Sequence, residues 1–219
     1  LKNRKKTIKF FQPLSSNIFA WDEKNKQNEK SVLAPSSIYA LSKSTVYLAA
    51  KMYNRIYNLH ICGAIFFNHE SPRRRLDYVS QKIVYNACEI YLGRRKNIEL
   101  GDINIKIDWG YAKEYVEAMW KMMQQKKPDD YVIATGKTFT IKEFVNKAAK
   151  KIGFRIKWVG KGIKEKGINT RNGKVLIECK DRYFRPVEVD YLKGNAIKAR
   201  KLLKWSPKIS IDQLIDEMI

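Results

Sequence analysis

The sequence predicts an α/β protein: a parallel sheet with helical crossovers, followed by a smaller mixed lobe. Three observations carry this. TIKFFQPL, a long amphipathic segment and LHICGAIFFN follow one another with short joints, which is the strand–helix–strand order of a parallel unit. Beyond about residue 68 that alternation gives way to helices separated by single strands. Finally, 219 residues at 44% hydrophobic suffice for a sizeable core, since single domains commonly run ~100–200 residues.

Taken in order, TIKFFQPL reads as a buried strand. SIYALSKSTVYLAAKMYNRIY carries apolar residues at helical spacing with Pro35 just ahead of it, and LHICGAIFFN is the next strand. YVSQKIVYNACEIYL and WGYAKEYVEAMWKMMQQ read as helices and DYVIAT as a strand. TIKEFVNKAAKKI is a helix opened by a capping box, Thr140 with Glu143. FRIKWVG is a further strand, and SIDQLIDEMI repeats the cap with Ser210 and Gln213. The boundary is expected within 68–76, dividing the chain into 1–67 and 68–219.

Composition narrows the function classes. Cys62, Cys88 and Cys179 form no C-x-x-C pair and have only His60 and His69 to join them, so neither a metal site nor a disulfide framework is expected. A reducing, cytoplasmic setting fits, and no run of ~18 apolar residues predicts a membrane span. The net charge of +22, from 44 Lys+Arg against 22 Asp+Glu, invites a nucleic-acid reading. Its even spread along the chain instead reads as solvated surface, without nucleic acid as a partner. Two loops mimic phosphate cradles. ATGKT at 134–138 has Tyr131 where a Walker loop needs glycine, and VGKGIKEKG spaces its glycines wrongly for a dinucleotide turn, so both read as ordinary turns.

Within PSSIYALSK, Tyr39 and Lys43 stand four apart and share a helix face. A cation beside a phenol favours phenolate, which can exchange a proton with a sugar hydroxyl during hydride transfer. Ser15 and Ser16, at the end of the preceding strand, can supply a second hydrogen-bonding partner to that hydroxyl.

FFNHESPRRR (66–75) is more specific than Tyr-x-x-x-Lys. Together with FFQPLSS, PSSIYALSK, DWGYAKEYVEAMW (108–120), YVIATG (131–136) and RYFRPVEVDYLKGN (182–195), it closely resembles the GDP-mannose 4,6-dehydratases, extended short-chain dehydrogenase/reductases, in order and nearly from end to end. The resemblance implies a lyase of nucleotide-sugar metabolism that makes GDP-4-keto-6-deoxymannose, on the route to GDP-fucose, with NADP as cofactor and GDP-mannose as substrate. It also implies a partial Rossmann-type parallel sheet in 1–67, interleaved with a nucleotide-sugar lobe in 68–219.

By the same resemblance Ser15, Tyr39 and Lys43 are the catalytic residues. Lys43, His69 and Arg74 contact the cofactor, Asn68, Val79 and Lys82 surround the sugar nucleotide, and Arg185 and Glu188 grip its phosphates and ribose. A planar guanidinium suits bidentate phosphate contact.

Three departures bear on activity. Leu14-Ser15-Ser16-Asn17 stands where the family has Ser-Thr-Ser-Glu, so the base for the C5 proton is an amide. Ile107 replaces the arginine expected before Asp108, which should weaken substrate binding. The family's Gly-rich first half-domain is not in this sequence, so the expected protein partner is a homo-oligomer or a complementary N-terminal half. The chain is therefore expected to be inactive or incomplete alone. The alternative is a non-catalytic nucleotide-sugar-binding or assembly subunit, or a degenerate fragment.

Overall fold

Residues 8–20, 26–184 and 193–219 are described by a computed structural model. The chain runs β1 (Lys9–Ser15), α1 (Ile38–Tyr57), β2 (His60–Phe66) and β3 (Asn68–Glu70). Next come α2 (Val79–Tyr91), β4 (Ile98–Leu100), β5 (Lys106–Ile107), β6 (Trp109–Tyr111) and α3 (Ala112–Gln124). β7 (Tyr131–Ile133), β8 (Phe139–Thr140), α4 (Ile141–Lys151), β9 (Ile156–Val159), β10 (Lys166–Asn169), β11 (Val175–Cys179), α5 (Ile197–Leu203) and α6 (Ile211–Met218) follow. Two compact units result. One comprises Leu1–His69, Asp108–Thr138 and Val189–Lys208; the other Glu70–Ile107, Phe139–Glu188 and Ile209–Ile219.

The first unit is built on a parallel sheet of order β1-β2-β7. All seven residues of β2, HICGAIF, are buried, as in a parallel strand covered on both faces. Successive side chains point to opposite faces. Cys62, Ala64 and Phe66 pack with Tyr115 and Met122 of α3 and Leu203 of α5, whereas Ile65 packs with Leu14, Val132 and Tyr47 of α1. Helix α1 opens where the Ser37 side chain accepts the Ala40 N–H at 3.1 Å and stops at Asn58, whose φ of 49° is left-handed. The Lys9 ammonium caps the end of α3, donating to the carbonyls of Met123 at 2.6 Å and Gln125 at 3.1 Å. Glu29 accepts the Val132 N–H at 2.8 Å, occupying a main-chain donor of β7.

Residues 109–125, expected as one helix, divide into β6 and α3. Trp109–Tyr111 pairs with β3 instead, and a Cβ on Gly110 would come within 2.3 Å of the Tyr115 ring. The extended backbone and missing Cβ let that ring close over the turn.

The second unit holds a sheet of order β4-β11-β10-β9, parallel only between β4 and β11. Its core gathers Ile83 and Ala87 of α2, Val145 and Ala149 of α4, and Ile98, Leu176 and Ile177 of the sheet. Both capping boxes are present, Thr140 with Glu143 and Ser210 with Gln213. The 160–167 loop is a turn with positive φ at Gly160 and Gly162, and Gly167 lies inside β10, where a Cβ would stand 2.9 Å from Ile156. Cys62, Cys88 and Cys179 are free. Among the described residues no cluster could hold a metal ion, and no helix is long and apolar enough to cross a membrane.

Candidate active site

The crossover from β1 through α1 places the expected catalytic positions at the carboxyl end of β1 and the first turns of α1. Ser15 ends β1, and its hydroxyl accepts the Asn17 N–H at 3.3 Å, capping a 3-10 turn over Ser16–Ile18. Asn17 itself is exposed and Ser16 buried. Tyr39 is 53% exposed, so its phenol is open to a ligand. The Lys43 ammonium lies 5.8 Å from the Tyr39 ring centroid and donates to the Pro13 carbonyl at 3.2 Å, tying α1 to β1. An ammonium carries three donors, so this bond leaves capacity for ligand hydroxyls.

A second pair at the same spacing, Tyr47 and Lys51, follows two turns along α1, and its surroundings differ. Tyr47 is buried beside the Asp130 carboxylate and accepts from Lys51 Nζ at 3.2 Å, the same Nζ lying 3.8 Å from Asp130 Oδ2. Burial, together with the negative charge of Asp130, pushes its phenol well above the ordinary range. Tyr47 is thus held in its protonated form. Glu29, a conceivable substitute for the missing base, is committed to the Val132 N–H.

His69 is half-buried, stacked on Tyr115 at 5.0 Å and 26°, with Nδ1 2.9 Å from the Phe67 carbonyl. That contact assigns the Nδ1 proton to a bond within the unit. Asn68 precedes it in β3, half-buried. The ATGKT turn does bind an anion, but an internal one. The buried Asp108 carboxylate accepts from the N–H groups of Thr135 at 2.9 Å and Gly136 at 2.8 Å, from the Thr135 hydroxyl at 2.5 Å and from the Gly194 N–H at 3.4 Å. Gly136 adopts φ 75°, which turns its N–H toward the carboxylate. Burial pushes the Asp108 carboxyl up against the pull of these donors.

In the second unit, Arg74 is held from two sides. Its Nε lies 3.2 Å from the Glu70 carboxylate, which also accepts from Ser80 Oγ at 2.6 Å, and its guanidinium stacks 3.5 Å over the Tyr78 ring. Burial raises the Glu70 carboxyl, while Ser80 and Arg74 lower it. Val79 begins α2, and one turn later Lys82 extends over the Tyr183 ring at 3.7 Å. Beside that ring, Arg182 pairs with Glu99. Ile107 is half-buried in β5, opposite Phe139 of β8. Arg185 and Glu188 lie outside the described residues.

A family model described as GDP-mannose 4,6 dehydratase matches residues 1–218. The chain belongs to the GDP-mannose 4,6-dehydratase family. Relatives bearing that name include one from Dictyostelium discoideum, 44% identical over 98% of this chain and 60% of its own length, and one from Homo sapiens, 40% identical over 97% and 57%. The chain therefore spans a little over half the length of such dehydratases. Among solved structures, RMD from Pseudomonas aeruginosa complexed with NADPH aligns with TM-score 0.81 at 17% identity, over 99% of this chain and 67% of that one. A dTDP-glucose 4,6-dehydratase from Bacillus anthracis in complex with NAD aligns at 0.78 and 20% identity, over 96% and 60%. At these identities the likeness establishes the Rossmann-type fold.

For a dehydratase-family chain, the structure adds residues to which the motifs assigned nothing: Asp108, Tyr47 with Asp130, and Glu70. Two signals for them were visible. Tyr47-x-x-x-Lys51 repeats the first pair, and Gly63 within an apolar strand marks a close backbone approach. Nothing local points to Asp130, its partner across the fold.

Proposed function

We propose that this chain carries the tyrosine–lysine end of the cofactor domain and the nucleotide-sugar lobe of a GDP-mannose 4,6-dehydratase, with NADP as cofactor and GDP-mannose as substrate. The observation that carries the reading is an exposed Tyr39 beside a Lys43 ammonium anchored on Pro13, next to Ser15. Together they suit a sugar hydroxyl and a nicotinamide ribose. Arg74 favours NADP over NAD, because a guanidinium suits a 2′-phosphate. The cytoplasm is the proposed location, consistent with three unpaired cysteines.

In this reading Tyr39 takes the proton of the sugar 4-hydroxyl, while Ser15 and Lys43 hold the sugar and ribose hydroxyls in place. NADP, when bound, supplies the hydride acceptor for C4 and the source of its return to C6. Between those events a base must remove the C5 proton as water leaves from C6, so the net change is loss of one water without net oxidation. Asn17 stands at the position of that base, and an amide cannot accept the proton. This substitution favours a second reading, a nucleotide-sugar-binding or assembly subunit without turnover. An assembly role has its own support in α1, where Ile38, Leu41, Leu48 and Met52 are all exposed at 84%, 52%, 57% and 45%. We propose a second copy of this chain as the partner on that face.

The two readings separate when the chain is joined to the part of the Dictyostelium discoideum relative that it does not cover. With GDP-mannose, that protein is expected to accumulate NADPH absorbance while releasing little 4-keto-6-deoxy sugar. Asn17→Glu should raise product release ~10²–10⁴-fold, and Tyr39→Phe should abolish the absorbance change. Equal turnover with and without Asn17→Glu would mean that another residue is the base. No NADPH in any variant would favour the binding subunit.

A further inference from the structure

Of the two tyrosine–lysine pairs on α1, the chemistry above uses only the first. Helix α1 is 20 residues long, yet its buried positions are Ala40, Ser44 and Tyr47, and only Tyr47 is large. The fit of this helix to the sheet therefore depends on very few contacts. Tyr47 lies beside Asp130, whose Oδ1 accepts the Gly63 N–H at 2.9 Å from the middle of β2. A Cβ on Gly63 would stand 2.6 Å from that same oxygen. Only glycine admits the carboxylate here, which accounts for a glycine inside a fully buried strand. Lys51 flanks the pair, with Nζ 3.2 Å from the phenol oxygen and 3.8 Å from Asp130 Oδ2.

We propose that Tyr47 and Asp130 are positioning residues: joined through Lys51 and seated against Gly63, they set the height and rotation of α1 on the sheet and thereby place Tyr39 and Lys43. The Lys43–Pro13 bond attaches α1 to β1 and the Tyr47–Asp130–Gly63 group attaches it to β2, while nearer the C-terminal end Asn54 Nδ2 donates to the Ile61 carbonyl of β2 at 3.3 Å. In the sheet Pro13 pairs with Ala64 and Gln12 with Gly63, so the first two attachments stand on neighbouring strands, and along the helix they are one turn apart. Asn54 lies two turns beyond Tyr47, so the two attachments nearest Tyr39 decide where that end of the helix lies. The raised phenol agrees with the role, because a tyrosine that stays neutral does not repel the carboxylate beside it. The inference rests on the dehydratase reading only for what is positioned.

The test has a structural and a kinetic arm. On the chain itself, Tyr47→Phe keeps the ring and removes the hydroxyl, while Asp130→Asn is a second, nearly isosteric break. NMR cross-peaks between the Lys43 side chain on α1 and Pro13 on β1 are expected to weaken in both variants. They should persist in Ile133→Val, a core control that loosens the same sheet without touching the clamp. In the joined protein described above, Tyr47→Phe should lower the rate of NADPH formation ~10–10²-fold, the scale of a misplaced reacting group, with the KM for GDP-mannose unchanged. Unchanged cross-peaks in both clamp variants, or equal loss in the Ile133→Val control, would overturn the proposal. If the joined wild type forms no NADPH, the dehydratase reading fails while the cross-peaks still decide the clamp.

Discussion

Residues of one type divide into different roles here according to what surrounds them. Tyr39 and Tyr47 share a helix and a downstream lysine, but one is open to solvent and the other is buried against Asp130. Spacing alone cannot tell them apart, because the distinguishing partner lies 83 residues beyond Tyr47. His60 gives a pH dependence of the same origin. It is buried at the start of β2, its Nε2 has no hydrogen-bond partner among the described residues, and burial together with the Lys9 charge lowers its basicity. A histidine with a depressed native pKa adds stability above its unfolded value of ~6.5, and this is lost as pH falls below it, since the unfolded chain then binds the proton more readily. The melting temperature should therefore drop between pH 7.5 and 5.5, and His60→Leu should flatten that drop. Parallel curves for the two proteins would show that another group titrates.

At the scale of elements, α1 carries the next prediction. Ile38, Leu41, Thr45, Leu48 and Met52 recur at alternating steps of three and four, the spacing of a helix that packs along another helix. This stripe has no charge, and Lys43 and Lys51 turn instead to Pro13 and to the Tyr47–Asp130 pair, so two copies can meet here without like-charge repulsion. Sedimentation of the chain should show a dimer, and Leu48→Lys should shift it to monomer. The change should leave monomer stability within ~0.5 kcal/mol, because Leu48 is exposed. A wild-type monomer at micromolar concentration would exclude this face as a self-interface. Long helices such as α1 and α4 were legible because their period repeats several times within the segment, and β2 because it is one nearly continuous apolar run. The three-residue β4 and the four-residue β10 were not, since so short a stretch shows no period and gains its strand state from the neighbours that pair with it.

For the whole molecule, the excess of cations is the remaining question. Within each unit, many lysines already face acids: Lys147 with Asp212 and Lys151 with Asp216 join α4 to α6, and Lys198 pairs with Asp129. We expect duplex DNA to bind weakly and to be released near physiological salt. Fluorescence anisotropy showing tight binding that persists there, with a steep salt slope, would instead establish a phosphate-binding surface. The division of labour between sequence and structure follows from range. The sequence by itself determined the α/β class, the β1–α1–β2 crossover, both capping boxes and the family motifs, all of which depend on patterns among near neighbours. Only the tertiary structure decided that ATGKT cradles Asp108, that Glu29 is committed to β7, and that the second tyrosine is a clamp. Each of those depends on a carboxylate brought from a distant part of the chain into a site where burial makes a hydrogen-bond partner obligatory, and no local pattern encodes which distant residue that will be.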